Sequence, residues 1–173
     1  MPIPPFDVHG NLGVGDYLAD ASLCLIPATL REIRRRFVSE FQDDSKRSEI
    51  FEGWMKYRTE FNKLGLEYHT WVDGSFTTNK YAPGDIDVAL VMDGDKVDQL
   101  RGAKRRRYKE LFDVDEMKRL YFVHPQQLPM WPFGHPLFED GSLGHGYWTR
   151  VFGTARGIGS HKAILVVRGG GVL

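Results

Sequence analysis

Asp73-Gly74-Ser75-Phe76-Thr77-Thr78-Asn79-Lys80-Tyr81-Ala82-Pro83-Gly84-Asp85-Ile86-Asp87-Val88 is the stretch on which the reading of this chain turns. Ahead of it, Leu66 to Val72 is rich in Tyr, Thr, Trp and Val and predicts a strand. Behind it, Ile86 to Met92 predicts a second. The connection opens on a Gly-Ser pair and closes on Pro83-Gly84, a turn signal. Residues i and i+2 of a strand point to one face. Asp85 and Asp87 therefore converge, while Ile86 and Val88 face the core.

Two adjacent carboxylates repel unless a cation sits between them. Hard oxygen ligands of this kind suit Mg²⁺ (or Mn²⁺), which keeps waters and takes further ligands from substrate phosphates. At the other end of the connection, Gly74 has no Cβ and lets backbone approach a phosphate. Ser75 offers a hydroxyl and an N–H, and Lys80 lies in the same segment. A Gly-Ser pair or an Asp-x-Asp alone reads as an ordinary surface turn. The signal is their combination in one strand–turn–strand unit.

Outward from this unit the pattern is helical on both sides. Residues 1–27 are rich in Pro, Gly and Asp and read as an irregular arm. Thr29-Leu30-Arg31-Glu32 fits a capping box, followed by a helix over about 29–41. A second helix spans about 46–64, with Gly65 placed to end it. Asp95 to Phe112 reads as one helix, Leu120 to Val123 as a third strand, and residues 124–146 as a long Pro/Gly-rich loop. Tyr147 to Phe152 and Ala163 to Val167 read as a terminal pair of strands, and the Gly169-Gly170-Gly171 end as a frayed tail. The fold class expected is α/β (α+β), a small mixed sheet with helices packed on it.

The chain has 173 residues, enough for one domain. Lys plus Arg equals Asp plus Glu at 23 each, which argues against a general nucleic-acid coat. The single cysteine, Cys24, excludes an internal disulfide and a multi-Cys zinc site. The N-terminus lacks a secretory pattern and no segment is long enough to span a bilayer, so the expected setting is cytoplasmic. Arg31, Arg34, Arg35 and Arg36, and the run Lys104 to Arg107, read as solvated helix faces. His124, His135 and His145 match no compact metal spacing. Trp131, Phe133 and Phe138 read as plugs of the loop onto the core.

Gly74-Ser75, nine residues, then Asp85-Ile86-Asp87 resembles the signature of the polymerase-beta-type nucleotidyltransferase superfamily. Further stretches resemble a group of small uncharacterised nucleotidyltransferase-like proteins of bacteria and mobile elements. They are Ile3-Pro4-Pro5-Phe6-Asp7 with Gly10-Asn11-Leu12, Ala28-Thr29-Leu30, Trp71 to Thr77, Pro83 to Val88, and Tyr147-Trp148 with Phe152-Gly153 and Lys162.

The resemblance implies a minimal nucleotidyltransferase fold. It implies Asp85 and Asp87 as catalytic metal ligands and Gly74 and Ser75, assisted by Lys80, as the grip on a nucleoside triphosphate. It implies transfer of a nucleoside monophosphate to a hydroxyl on protein or RNA, as in minimal enzymes of toxin–antitoxin or phage-defence pairs. It also implies a third carboxylate on a neighbouring strand. The segment Lys118 to Val123 holds none, Arg119 standing in it, and the nearest acids are Asp113, Asp115 and Glu116. An inactive nucleotide-binding or partner-binding module, such as an antitoxin or sensor, is therefore the alternative. Nucleobase, acceptor and oligomeric state are not legible in the residues.

Overall fold

The computed structural model describes residues 3–14, 25–41, 45–155 and 161–169. Cys24, residues 156–160 and most of the Gly169-Gly170-Gly171 end lie outside the described residues. Within them, five strands and six α-helices form a mixed α/β architecture. Strand β1 (Leu25–Pro27) leads into α1 (Leu30–Arg34). Thr29 and Glu32 form the predicted capping box, and the helix continues through a π-helical turn, Arg35–Ser39. Helix α2 (Ser45–Asn62) and strand β2 (Tyr68–Asp73) follow. A 3₁₀ turn, Ser75–Thr77, starts the connection to β3 (Ile86–Asp93). Next come α3 (Gly94–Asp98), α4 (Gly102–Glu110), α5 (Val114–Tyr121), β4 (Val123–Met130), α6 (Phe138–Phe152) and β5 (Ile164–Arg168).

The sheet order is β1-β5-β2-β3-β4. β2 runs antiparallel to both β3 and β5, whereas β3–β4 and β1–β5 are parallel. Alternation along each strand divides the buried residues between two faces. Val72, Ile86, Val88, Leu90, Leu165 and Val167 pack with Ile50, Trp54 and Phe61 of α2 in the larger core. Trp71, Ala89 and Ile164 point the other way and pack with Phe152 of α6 and Leu128 of β4.

Five expectations change. Residues 25–27, assigned to the arm, are a sheet strand. The segment 95–112 is two helices, because Gly102, at φ 54°, breaks it. Of residues 120–123, Leu120 and Tyr121 end α5, Phe122 is its left-handed cap and only Val123 is strand. Residues 124–146 are not a loop: they supply β4 and the first part of α6. Tyr147 to Phe152 is helix, so β5 pairs with β1 and β2 instead of forming a terminal hairpin.

Two prolines, Pro125 and Pro129, sit inside β4. The strand lies at the sheet edge and pairs only with β3. Prolines are accepted in an edge strand where no ladder donor is needed. In α6, Gly141 lies so close to the Pro129 carbonyl and the Trp131 ring that an added Cβ would press on both, which lets the helix lie down on β4. The aromatic residues of this region plug less than expected: Phe133 is 91% exposed. Trp131 is instead held by donating its indole N–H to Asp98 at 2.8 Å.

Candidate functional site

The end of β2 and the start of β3 carry the residues singled out by sequence. Asp73 is registered against Asp87 across the β2–β3 ladder. Asp87 shares its sheet face with Ala89, which packs toward α6. The acidic cluster therefore opens on the α6 side. Between sheet and helix lies a cavity of about 640 Å³ lined by Gly74, Ser75, Lys80, Asp85 and Asp87, all five candidates. Asp73, Lys118, His124, Gln126 and Lys162 line it too, with Tyr147, Trp148 and Phe152 of α6.

The turn after β2 demands glycine. Gly74 has φ 82° and ψ −163°, backbone that is essentially glycine-only. A Cβ there would also overlap the Asp87 carboxylate. The loop behind it is pinned from below by Arg47. This side chain is fully buried and donates to the carbonyls of Phe37, Phe76, Thr78 and Lys80 at 2.5–3.1 Å. Its planar fork serves several acceptors at once, which an ammonium cannot do. Arg47 is thus a positioning residue that sequence inspection passed over, since a lone arginine on a helix carries no signal of its own.

Each carboxylate has a protein partner. Lys118 Nζ lies 2.8 Å from Asp85 Oδ2, and Lys162 Nζ lies 2.8 Å from Asp73 Oδ1. His124 Nδ1 lies 2.9 Å from Asp87 Oδ1, and the Gln126 amide nitrogen lies 3.0 Å from His124 Nε2. A ring protonated on Nδ1 satisfies both contacts, donating to the aspartate and accepting from the glutamine. Burial raises the Asp73 carboxyl to about 6, against the opposing pull of Lys162. Lys80 makes no ion pair with any of these carboxylates.

The acids expected to supply a third carboxylate do not reach the site, and the third carboxylate beside the pair is Asp73 of β2, which is paired with Lys162. Asp113 caps α5 by accepting the Glu116 N–H, and Glu116 forms a two-pronged pair with Arg119 at 2.9 and 2.6 Å. Asp113, Asp115, Glu116 and Arg119 do not line the cavity. Of the two strands that flank β3, β2 registers Asp73 against Asp87, and β4, which holds no acid, registers His124 there. His124, expected in a loop, lies on β4 and lines the cavity, a placement that the Pro-rich context concealed.

A divalent cation fits this donor set in a limited way. Asp85 and Asp87 are partly exposed to the cavity, and carboxylate oxygen suits Mg²⁺. Among the described residues, no group of three or more His, Cys, Asp or Glu side chains is arranged to hold a metal. Phosphate and water would have to complete the shell, the usual habit of Mg²⁺.

The basic runs are largely consumed within the protein. Lys104 donates to the Leu64 carbonyl and Arg105 to that of Val97, while Arg107 pairs with Glu60 and Glu110. No helix among the described residues is long and apolar enough to cross a membrane.

Residues 4–168 match the sequence family described as a family of unknown function, DUF6932. The chain belongs to DUF6932. No curated protein and no solved structure matches it. The site of this DUF6932 member must therefore be read from its own chemistry.

Proposed function

We propose that this DUF6932 protein is a metal-dependent nucleotidyltransferase that moves a nucleoside monophosphate from a nucleoside triphosphate to a hydroxyl on protein or RNA. The observation that carries the reading is the meeting of the Gly74-Ser75 turn, Lys80 and the Asp85/Asp87 pair in one cavity. Gly74 and Ser75 bring backbone and hydroxyl donors to the β- and γ-phosphates, and Lys80 adds a cation that pairs with no carboxylate among the described residues. Asp85 and Asp87 would hold Mg²⁺, which supplies charge neutralisation at the transferring phosphoryl group.

The acceptor oxygen forms a bond to the α-phosphorus as the bond to the β-phosphate oxygen breaks. Pyrophosphate leaves with that electron pair, and the acceptor proton passes to solvent. Lys118, now 2.8 Å from Asp85, would have to exchange that carboxylate for phosphate oxygen when the nucleotide binds. Positioning and electrostatics carry the rate in such chemistry.

The alternative is a nucleotide-binding or partner-binding module of the antitoxin or sensor kind. One observation favours it: on the β4 side Asp87 meets His124 and no carboxylate, and the acid on its other side, Asp73, is already tied to Lys162. Incorporation of α-³²P from each of the four triphosphates, with Mg²⁺ or Mn²⁺ and cell extract as acceptor, separates the two. Label from wild type that falls at least 100-fold in Asp85→Asn and Asp87→Asn supports the enzyme and names base and acceptor class. Nucleotide binding without label, under either metal, supports the module.

A further inference from the structure

We propose that Tyr147 and Trp148 of α6 form the nucleobase subsite of this cavity, the base stacking on the indole while the triphosphate reaches Gly74, Ser75 and Lys80. The inference rests on the nucleotide reading above and names the wall that recognises the other half of that ligand.

The cavity is two-sided. Its sheet wall is charged, with Asp73, Asp85, Asp87 and their basic partners. Its α6 wall is aromatic and apolar: Tyr147, Trp148, Val151 and Phe152. Tyr147 with Val151, and Trp148 with Phe152, are i,i+4 pairs on one helix surface. Phosphate alone has no use for such a wall. A ligand with an anionic tail and a flat apolar head uses both.

The indole is held in place before any ligand arrives. Phe152 meets it edge-on at 5.6 Å and 77°, and Tyr147 meets it at 5.1 Å and 82°. Trp148 also packs against the core shared by Trp71, Leu128 and Ile164. Tyr147, by contrast, is 51% exposed, a large aromatic left open at the rim. A rigid ring beside an open one is the arrangement of a stacking platform, and stacking accepts every base because each has a π-face. The preference it confers follows ring size, so purines bind ahead of pyrimidines.

The test is calorimetric titration, with Mg²⁺, of the non-transferable α,β-methylene analogue of ATP and of inorganic tripolyphosphate. Trp148→Ala is expected to weaken the analogue about tenfold and to leave tripolyphosphate unchanged, with Trp148→Phe restoring most of the loss. Tyr147→Ala, at an exposed position that leaves the fold intact, is expected to weaken only the analogue, several-fold. Equal effects on both ligands, or none on either, would overturn the subsite and leave the nucleotide reading standing. If wild type binds neither probe, the nucleotide reading itself fails and the subsite with it.

Discussion

Gly74 and Asp87 are coupled through a single missing atom. The carboxylate of Asp87 occupies the volume that a β-carbon at 74 would take, and the backbone there is in a region closed to other residues. Gly74→Ala is expected to cost about 1–3 kcal/mol from the backbone alone and to displace Asp87. A urea transition checks the first, and loss of Mg²⁺-dependent nucleotide binding checks the second. Asp73 makes a separate claim. Its folded pKa, about 6, stands above the ordinary 3.8. The stability it contributes is therefore complete below about pH 4 and is lost as pH rises through 6. Relative to Asp73→Asn, wild type is expected to lose roughly 3 kcal/mol between pH 4 and pH 7, read from urea midpoints across that range. Asp85, Asp87, Gly74, Ser75 and Lys80 could be singled out because they sit in one local connection, and the structure places all five on one cavity. Asp73, Lys118, His124 and Lys162 could not, since only the folded sheet brings residues 73, 87, 118, 124 and 162 together.

At the level of elements, the contrast lies between segments whose local signals agree and segments that tertiary contacts overrule. Helix α1 and strands β2 and β3 announced themselves through a capping box and β-branched or aromatic runs. β4 was hidden by Pro125 and Pro129, which are tolerable only because that strand is an edge. α6 was hidden by Gly141, Gly144 and Gly146, which lower helix propensity. Gly141 is required for close approach to β4. Gly144 and Gly146 face open space, with nothing near an added Cβ. Gly144→Ala or Gly146→Ala is therefore expected to stabilise the protein by about 0.5–1 kcal/mol, seen as a raised urea midpoint. The connection between β2 and β3 depends instead on one buried guanidinium. Arg47→Met, which strands four carbonyls, is expected to cost about 3–5 kcal/mol. Arg47→Lys should recover only part of it, because three donors on a flexible stem do not reproduce the fork. Chemical denaturation of both variants checks the ranking.

Across the whole molecule, charge is balanced overall and the cavity's three carboxylates are paired, so a nucleotide must exchange partners already in place. Mg²⁺ with a triphosphate at a hundred times its dissociation constant is expected to stabilise the fold by about 2.7 kcal/mol. For a chain of this size that raises the melting temperature by about 5–10 °C, an effect that chelation of the metal abolishes. The mixed α/β class followed from the order of helices and strands, but the sheet order did not. No local pattern in residues 164–168 says that they will lie between β1 and β2. That placement has a consequence for biosynthesis. A growing chain that has emerged from the ribosome only as far as α6 can join β2, β3 and β4, yet β2 then presents a bare row of amides and carbonyls along its other side. Such an open edge invites pairing with neighbouring chains, and it closes only when β5 arrives. During that interval the half-made protein is at its most vulnerable to clumping and has most need of a chaperone.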